Sequence, residues 1–377
     1  MISLIEFKHN ASDWLQKNLE VAPPNYGAIL PPALEKEGVD WQKRLFHEGW
    51  AGVHWPKEHG GLGLTPEHQS IWLEECARAD VPPYVNMVGV VLAGQGVQIY
   101  GTDHQKNLHL QSIIDATQLW CQLFSEPESG SDLGSLRTTA EADGDGWVVN
   151  GQKVWCSGGR YSNWGILMAR TDPNLPKHRG ISFFLIDMHS DGIETRPLRQ
   201  MTGEAEFDEV FFTDVSLPQT ALLGPLNGGW HVGMDILTKE RGSIGAGAIT
   251  MQRRLDSLQS LANKELSHDK RQQLVQLLIK GKSYHYLGQR QGPAASVSSS
   301  LNKLGITELM FDIANLRADI AEIEALLSGS GSDSLLSAPG AKIAGGTSQI
   351  QKNIIGERIL GLPKEPNPQL TVVNYYN

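Results

Sequence analysis

Residues 147–156 of this chain read WVVNGQKVWC, and they show the change from a helical to an alternating sequence pattern. Asn150-Gly151 is a dipeptide that favours a two-residue hairpin turn, and apolar residues lie on both sides of it. Four further candidate strands follow without a helical stretch between them: 164–169 (WGILMA), 181–188 (ISFFLIDM), 193–196 (IETR) and 209–213 (EVFFT). Several short strands separated by turns predict an antiparallel barrel or sandwich.

The sequence on both sides of this region has a helical period. Amphipathic stripes occur near the N-terminus around Trp14 and Leu15, and helical spacing returns after the β-region. The later helices are predicted at 231–257, 270–287, 306–327 and 347–360, and the Ser/Gly-rich segment 328–340 is predicted to be a flexible linker. The sequence thus predicts an α+β protein of three domains: N-terminal helices (1–117), a central antiparallel β-barrel (118–225) and a C-terminal helical bundle (226–377).

Composition and charge exclude several classes of function. The 377 residues include 32 Lys and Arg against 42 Asp and Glu, and a net charge of −10 counts against a nucleic-acid partner. No apolar run approaches the length of a membrane span, and the N-terminus has no secretory signal pattern, so we expect a cytoplasmic protein. The three cysteines have no Cys-x-x-Cys spacing, and we therefore expect neither a disulfide framework nor a zinc site.

Residues 124–132 (FSEPESGSD) connect the helical region to the β-region and form the first candidate ligand loop. Gly130 lets a ligand approach the backbone closely, and Ser125 and Ser131 carry small hydroxyl groups. Successive N–H groups in such a Gly/Ser turn form a concavity that suits phosphate. An ordinary polar loop at a helix-to-strand junction has the same composition, so these residues alone leave both interpretations open.

Trp155 and Ser157 are the second candidate pair. They lie two residues apart on a predicted strand, so their side chains share one face. An indole plane beside a hydroxyl group is suited to flank a flat heterocycle. A tryptophan packed inside the barrel is the alternative interpretation of the same pattern.

A candidate general base lies on the helix predicted across 234–251. Glu240 falls on an apolar stripe with helical spacing, where burial penalises the carboxylate and raises its pKa. A base that acts near neutral pH requires such a shift. Arg241 would instead hold Glu240 ionised if the two form a structural ion pair, and the sequence alone leaves both roles open. The stripe consists of Leu237, Glu240, Arg241, Ile244, Ala248 and Met251.

Residues 345–351 (GGTSQIQ) begin the last predicted helix. The Gly-Gly-Thr-Ser entry leaves N–H groups free at a helix N-terminus, which favours an anion or a polar ring. A plain N-cap, for which Thr347 or Ser348 is well suited, explains the same sequence.

In this order and spacing, the four segments resemble the acyl-CoA dehydrogenase family of flavoproteins over essentially the whole chain. SEPESGSD resembles the family signature (S/T)-E-P-x-x-G-S-D, and NGQKVWCS and GTSQIQ are similarly close. Flanking segments look most like a bacterial branch that includes pimeloyl-CoA and steroid side-chain dehydrogenases. The resemblance implies a helical domain, a β-barrel and a four-helix C-terminal domain. It also implies FAD-dependent oxidation of an acyl-CoA thioester to the trans-2-enoyl-CoA, in which a carboxylate removes the α-proton and a hydride passes to flavin N5.

The resemblance implies contacts between individual residues and the flavin ring. Phe124 and Ser125 would contact the ring system itself. Trp155 would pack against the isoalloxazine, and Ser157 would form a hydrogen bond near N5.

Two other segments would hold the rest of the ligands. By resemblance, Gly130 and Ser131 contact the pyrophosphate and the nearby CoA, and Ser131 thereby serves both cofactor and substrate. Thr347 and Gln349 would hold the FAD further along. An electron-transfer flavoprotein is the electron acceptor that the family likeness implies.

The family likeness also bears on the base. Most members carry the catalytic glutamate immediately before the Gly-Thr of the last motif, but this chain has Gly345 there. A minority, the isovaleryl-type and long-chain enzymes, place the glutamate before an arginine on the first C-terminal helix. Glu240-Arg241 occupies that position, so the resemblance implies that Glu240 is the base and that Arg241 lies beside the thioester end of the substrate.

Two family features are missing from the chain. The Arg-x-x-Phe-Gly segment, whose arginine reaches the FAD of a neighbouring subunit, is replaced by 280–293 (KGKSYHYLGQRQGP). The Gly-Gly-x-Gly stretch before the last helix is reduced to the segment 328–340. Some relatives in this branch are heterotetramers in which a second chain supplies such contacts. We therefore expect either a homodimer or homotetramer, or a heterotetramer with a second acyl-CoA dehydrogenase-like chain.

Two alternative functions use the same scaffold. A flavin-dependent oxidase or monooxygenase commonly replaces the glutamate by another residue, and a non-catalytic FAD-sharing subunit is expected to lose both the glutamate and the SEP loop. Because this chain retains Glu240 and residues 124–132, the dehydrogenase is favoured over both alternatives.

Overall fold

A computed structural model of the chain describes residues 2–27, 29–239, 244–261, 266–288, 294–327 and 329–364. Two compact units, Met1–Thr250 and Met251–Asn377, divide the chain. The first contains the N-terminal helices and the β-sheet, and the second contains helices.

Helices form the N-terminal part of the first unit, as predicted. They are α1 (Leu4–Asn18), α2 (Glu35–His47), α3 (Pro66–Ala79), α4 (Gly94–Tyr100) and α5 (Asp103–Ile114). Aromatic side chains fill the space between them: Trp50 stacks on Trp72 with ring centroids 4.9 Å apart, and Trp14 packs against both. A π-helical turn, Val88–Ala93, continues directly into α4.

Seven strands in the described residues form one curled sheet. They are β1 (Trp120–Leu123), β2 (Thr139–Asp143), β3 (Gly146–Ser157), β4 (Trp164–Arg170), β5 (Ile181–Asp187), β6 (Ile193–Leu198) and β7 (Phe207–Pro218). The order is β1-β4-β2-β3-β7-β6, and β5 pairs with β4. One face is lined by buried side chains such as Val149, Leu167, Phe184 and Val210. All four of these candidate strands are strands in the structure.

The predicted antiparallel pairing needs one correction. β1 runs parallel to β4, and a short parallel bridge joins β2 to β4, whereas the other pairs are antiparallel. β1 is separated from β4 by about forty residues of chain, so no hairpin fixes its direction. The central β-domain is confirmed, but its sheet is mixed rather than purely antiparallel.

The predicted hairpin turn at Asn150-Gly151 is wrong. β3 continues through both residues, and the hairpin between β2 and β3 turns at Gly144, whose φ of +55° is left-handed. At Asn150 the pairing of β3 with β7 shifts, which marks a bulge. The Asn150 side chain bonds Asp214 twice, to its backbone N–H at 2.9 Å and to its carboxylate at 3.0 Å. Gly151 has a φ of +148°, which glycine adopts readily, so the Asn-Gly dipeptide serves a strand bulge instead of a turn.

The segments that the structure describes after the sheet are mainly helical, as predicted for the C-terminal part of the chain. They are α6 (Gly229–Lys239), α7 (Ile244–Leu261), α8 (His268–Gly288), α9 (Ala294–Ala321), α10 (Ser330–Ile343) and α11 (Ser348–Asn353). In the second unit, α7, α8 and α9 share an apolar core that includes Leu255, Leu277 and Leu309. Among the residues that the model describes, no helix combines the length and apolar character needed to cross a bilayer.

The predicted flexible linker at 328–340 is also wrong, because most of it belongs to α10. Ala338 is buried. Lys303 of α9 donates its ammonium to the carbonyls of Ala341 and Lys342, at 3.4 and 3.3 Å, and so caps the end of α10. Packing of this kind stabilises a helix whose serine and glycine content disfavours it in isolation.

Candidate active site

The loop 124–132 leaves the end of β1 and is attached to β3. The ring of Phe124 packs into the core, edge-on to Phe183 with ring centroids 5.6 Å apart. The backbone N–H of Val154 donates to the carbonyl of Ser125 at 2.9 Å. The structure therefore brings Phe124 and Ser125 next to the strand that carries Trp155, and a ligand would meet Phe124 through its backbone.

A buried ion pair holds this loop, and the sequence analysis missed it. Lys153 on β3 is fully buried, and its ammonium donates to Glu126 at 2.8 Å and to the Phe124 carbonyl at 3.0 Å. The same carboxylate accepts the backbone N–H groups of Arg137, at 2.6 Å, and Thr138, at 2.9 Å. One charge pair thus connects the loop, β3 and the residues that directly precede β2.

Burial opposes the charge on both members of this pair. For Glu126, the neighbouring ammonium and the donated hydrogen bonds outweigh burial, so the pKa of its carboxyl lies below the ordinary value. Burial lowers the pKa of the Lys153 ammonium, although Glu126 acts in the opposite direction. Removal of one member of such a pair is strongly destabilising, because the other charge is then buried without its partner.

The second half of the loop presents backbone to solvent. Glu126 and Ser129 exchange backbone hydrogen bonds of 3.1 and 3.0 Å, which close a tight turn. Gly130 and Ser131 follow this turn and are exposed. A Cβ atom added to Gly130 would meet no atom within 4 Å. Open space beside this backbone is what a phosphate approaching the loop requires.

Trp155 stands out from the sheet. Its side chain is 54% exposed, and its φ of +59° places a bulky residue in the left-handed region, at a second bulge of β3. The ring meets only the edge of Phe207 among the aromatic side chains of the described residues, at 5.7 Å between centroids. The alternative of a tryptophan packed inside the barrel is therefore wrong. A strained, exposed aromatic residue is typical of a ligand-binding position.

Ser157 ends β3 and is half-buried. It lines a small cavity of about 20 Å³ together with Asn86, Trp120 and Tyr161. The turn after Ser157 is held by the buried carboxylate of Asp208, which accepts the backbone N–H of Arg160 at 2.9 Å. The hydrogen bond to Asp208 thus fixes the end of the strand that carries Trp155 and Ser157.

The segment 345–351 lies in the second unit. The side-chain oxygen of Thr347 accepts the backbone N–H of Ile350 at 3.2 Å, so the N-cap interpretation is correct, and Gln349 is exposed. Gly345 has a φ of +64°, which a glutamate would adopt only with strain. This agrees with a base located elsewhere in the chain.

Glu240 and Arg241 lie outside the described residues. Of their predicted stripe, Leu237 packs against the core of the first unit, and Met251 is buried in the core of the second. The apolar character expected for this face is thus present at positions on both sides of Glu240.

The first-unit residues fit a flavin nucleotide chemically. Trp155 offers an aromatic plane, Ser157 a hydroxyl group, and Gly130 and Ser131 an open stretch of backbone for phosphate. Within the described ranges, no group of His, Cys, Asp or Glu side chains is arranged to hold a metal ion.

Comparison with known proteins decides the family. Residues 7–117 match the model of the acyl-CoA dehydrogenase N-terminal domain, and residues 121–215 match that of the middle domain. The chain belongs to the acyl-CoA dehydrogenase family. The family recognised from the four sequence segments is thereby confirmed, and members of this family are flavoproteins that act on acyl-CoA.

Two curated acyl-CoA dehydrogenases of Mycobacterium tuberculosis illustrate the likeness. IpdE1 is 36% identical over 382 residues, which cover 96% of this chain and 98% of that protein. FadE26 is 30% identical over 352 residues, which cover 85% and 87%.

Solved acyl-CoA dehydrogenase structures have the same fold. The structure titled "Tcur3481-Tcur3483 steroid ACAD" has a TM-score of 0.81 and 24% identity, covering 96% of this chain and 98% of that chain. The ChsE4-ChsE5 complex from Mycobacterium tuberculosis has a TM-score of 0.76 and 25% identity, covering 97% and 100%. Both titles name two different chains.

Proposed function

We propose that this protein is an FAD-dependent acyl-CoA dehydrogenase that introduces a trans double bond between Cα and Cβ of an acyl-CoA thioester. The observation that carries this proposal is Trp155, presented to solvent on a strained bulge beside the ion-paired loop 124–132. Membership in the family supports the reaction, and the retained Glu240 favours dehydrogenation over the oxygen-dependent alternatives.

Each segment of the first unit has a part in holding the cofactor. The indole of Trp155 would face the isoalloxazine, Ser157 would bond near N5, and the backbone of Phe124 and Ser125 would contact the ring. Gly130 and Ser131 would bind the pyrophosphate and the nearby CoA. FAD, when bound, supplies the acceptor for the hydride. Thr347 and Gln349 remain proposed contacts to the rest of the FAD.

Glu240 is the proposed base. Its carboxylate takes the proton from Cα, the electron pair of that C–H bond becomes the new double bond, and the hydride leaves from Cβ. Arg241, beside the thioester, would favour the negative charge that develops on the carbonyl oxygen as the proton leaves. An electron-transfer flavoprotein is the proposed final acceptor.

A panel of CoA thioesters tests the reaction. With an artificial electron acceptor, we expect at least one thioester to yield its trans-2-enoyl-CoA. Two electrons should reach the acceptor for each double bond formed. An oxidase or monooxygenase would instead consume oxygen stoichiometrically and would not need the acceptor. Absence of enoyl-CoA with every thioester, in protein loaded with FAD, would contradict the proposal.

We also propose that a second acyl-CoA dehydrogenase-like chain completes the FAD site. The missing Arg-x-x-Phe-Gly segment supports this proposal, and so do the two-chain titles of the similar structures. Purified alone, the chain is expected to retain clearly less than one FAD per polypeptide, as measured by flavin absorbance. A full, tightly held equivalent of FAD in the single-chain protein would contradict the need for a partner.

A further inference from the structure

The small cavity beside Ser157 has mainly apolar walls. Its volume of about 20 Å³ is enough for one ordered water molecule. Four polar side chains line it: Asn86, Trp120, Ser157 and Tyr161. The rest of the lining consists of Ile29, Leu30, Val85, Met87, Val88 and Leu119. What this cavity can hold therefore depends on which of the four polar side chains are free to form a hydrogen bond.

Two of these polar side chains already have partners. The amide of Asn86 makes four hydrogen bonds, all of them to backbone groups. The hydroxyl of Tyr161 donates to the carbonyl of Leu30 at 2.6 Å, and its oxygen can still accept a hydrogen bond. Asn86 is thus fully used, and Tyr161 is available only as an acceptor.

The other two polar side chains are unpaired. The Nε1–H of Trp120 is buried without a partner, and the hydroxyl of Ser157 has no partner among the residues that the structure describes. The Trp120 ring is held in place, because it stacks on Trp164 with ring centroids 5.7 Å apart and meets His109 edge-on at 5.1 Å. Other buried indole N–H groups of the chain are unpaired as well, but of these only Trp120 lines this cavity. An unpaired donor and an unpaired hydroxyl at one cavity are the partners that a buried water requires.

We propose that one water molecule occupies this cavity and joins Trp120 to Ser157. An indole N–H can only donate, so the water accepts from Trp120 and keeps both of its own hydrogens. One of these hydrogens is donated to the oxygen of Ser157 and the other to the oxygen of Tyr161. The hydroxyl of Ser157 therefore keeps its own hydrogen for a different partner, and that partner must be an acceptor.

The direction of these hydrogen bonds bears on the proposed dehydrogenase function, on which this inference rests. Ser157 is proposed to bond near flavin N5, and N5 of an oxidised flavin is a hydrogen-bond acceptor. Trp120 and the water would hold the Ser157 hydroxyl in the orientation in which it donates. A donor placed there favours the electron density that the hydride brings. Trp120 is thus a positioning residue, because it acts only through the water and Ser157.

A crystal structure of the FAD-loaded protein tests the water site. At a resolution that shows ordered water, we expect one water within hydrogen-bond distance of both Trp120 Nε1 and the Ser157 hydroxyl. Trp120→Phe keeps an aromatic ring next to Trp164 but removes the donor, so the water should lose its ordered position. Trp164→Phe makes the same change in the stacked ring, which does not line this cavity, and should keep the water. An empty cavity in the wild-type structure would overturn the inference.

A double-mutant cycle tests the connection to Ser157. Reduction of the flavin by acyl-CoA should be roughly three- to tenfold slower in Trp120→Phe than in wild type, as expected for the loss of one hydrogen bond. In a Ser157→Ala background the same substitution should have little further effect, because the hydroxyl through which Trp120 acts is gone. An equal loss of rate in both backgrounds would show that Trp120 contributes packing alone, and this would overturn its positioning role.

The two experiments distinguish a failure of this inference from a failure of the proposed function. If no thioester reduces the flavin, the dehydrogenase proposal fails and the role of the water in hydride transfer fails with it. The crystal structure then still decides whether the water site exists. If thioesters are oxidised but the cavity is empty, or the cycle shows no coupling, only the connection between Trp120 and Ser157 is overturned.

Discussion

Glu240→Gln should bind as much FAD as wild-type protein loaded in the same way, but should oxidise acyl-CoA roughly 10²–10⁴-fold more slowly. Glutamine has nearly the shape of glutamate but cannot accept the α-proton, so binding should survive while proton removal fails. Turnover with an artificial acceptor measures the rate, and the visible flavin spectrum measures cofactor content.

Glu37→Gln provides the control for this substitution. Glu37 lies exposed on α2, and the same chemical change there should leave both turnover and flavin content unchanged. Near-normal turnover in Glu240→Gln would reject Glu240 as the base and would direct attention to another carboxylate.

Lys153→Met should destabilise the protein by about 3–5 kcal/mol and release the flavin, because it leaves the Glu126 carboxylate buried without its cation. The Phe124 carbonyl would lose its donor in the same step, and the loop that contacts the flavin would no longer be fixed. Chemical denaturation measures the free energy of unfolding, and flavin absorbance after gel filtration measures retention.

Two further variants separate a specific effect from a general one. In Glu126→Gln/Lys153→Met, neither side chain is charged, so part of the lost stability should return. The return should be incomplete, because Arg137 and Thr138 donate to different oxygens of the carboxylate and the amide keeps only one oxygen. Lys36→Met removes the exposed partner of Asp40 and should leave the free energy of unfolding nearly unchanged. A Lys153→Met protein that is as stable and as rich in flavin as wild type would show that the pair does not hold the loop.

The order of helices, sheet and helices could be predicted because burial imposes a period on the sequence. The run 181–188 is mostly apolar, and the structure buries six of the seven residues of β5. Loop 124–132 and residues 155 and 157 could be predicted as site residues for a different reason. Their residue types match segments of a family resemblance that extends over the whole chain.

The features that the sequence did not reveal depend on tertiary contacts. The alternation of buried and exposed side chains along β3 is interrupted at its two bulges. The sequence pattern therefore did not predict that Lys153 is buried while Trp155 is exposed. The signal that was available is a lysine within an apolar strand, which predicts a buried carboxylate partner, and Glu126 lies within the quoted motif. The helix α10 escaped prediction because its stability comes from packing on α9 rather than from its serine-rich sequence.

The most direct test of the account is anaerobic titration of the FAD-loaded protein with the acyl-CoA that it oxidises best. Acyl-CoA should bleach the visible flavin band without any added acceptor, with about one trans-2-enoyl-CoA formed per flavin reduced, and Glu240→Gln should remain coloured under the same conditions. A flavin that stays oxidised in the wild-type holoenzyme with every thioester offered would contradict the conclusion that this site dehydrogenates acyl-CoA.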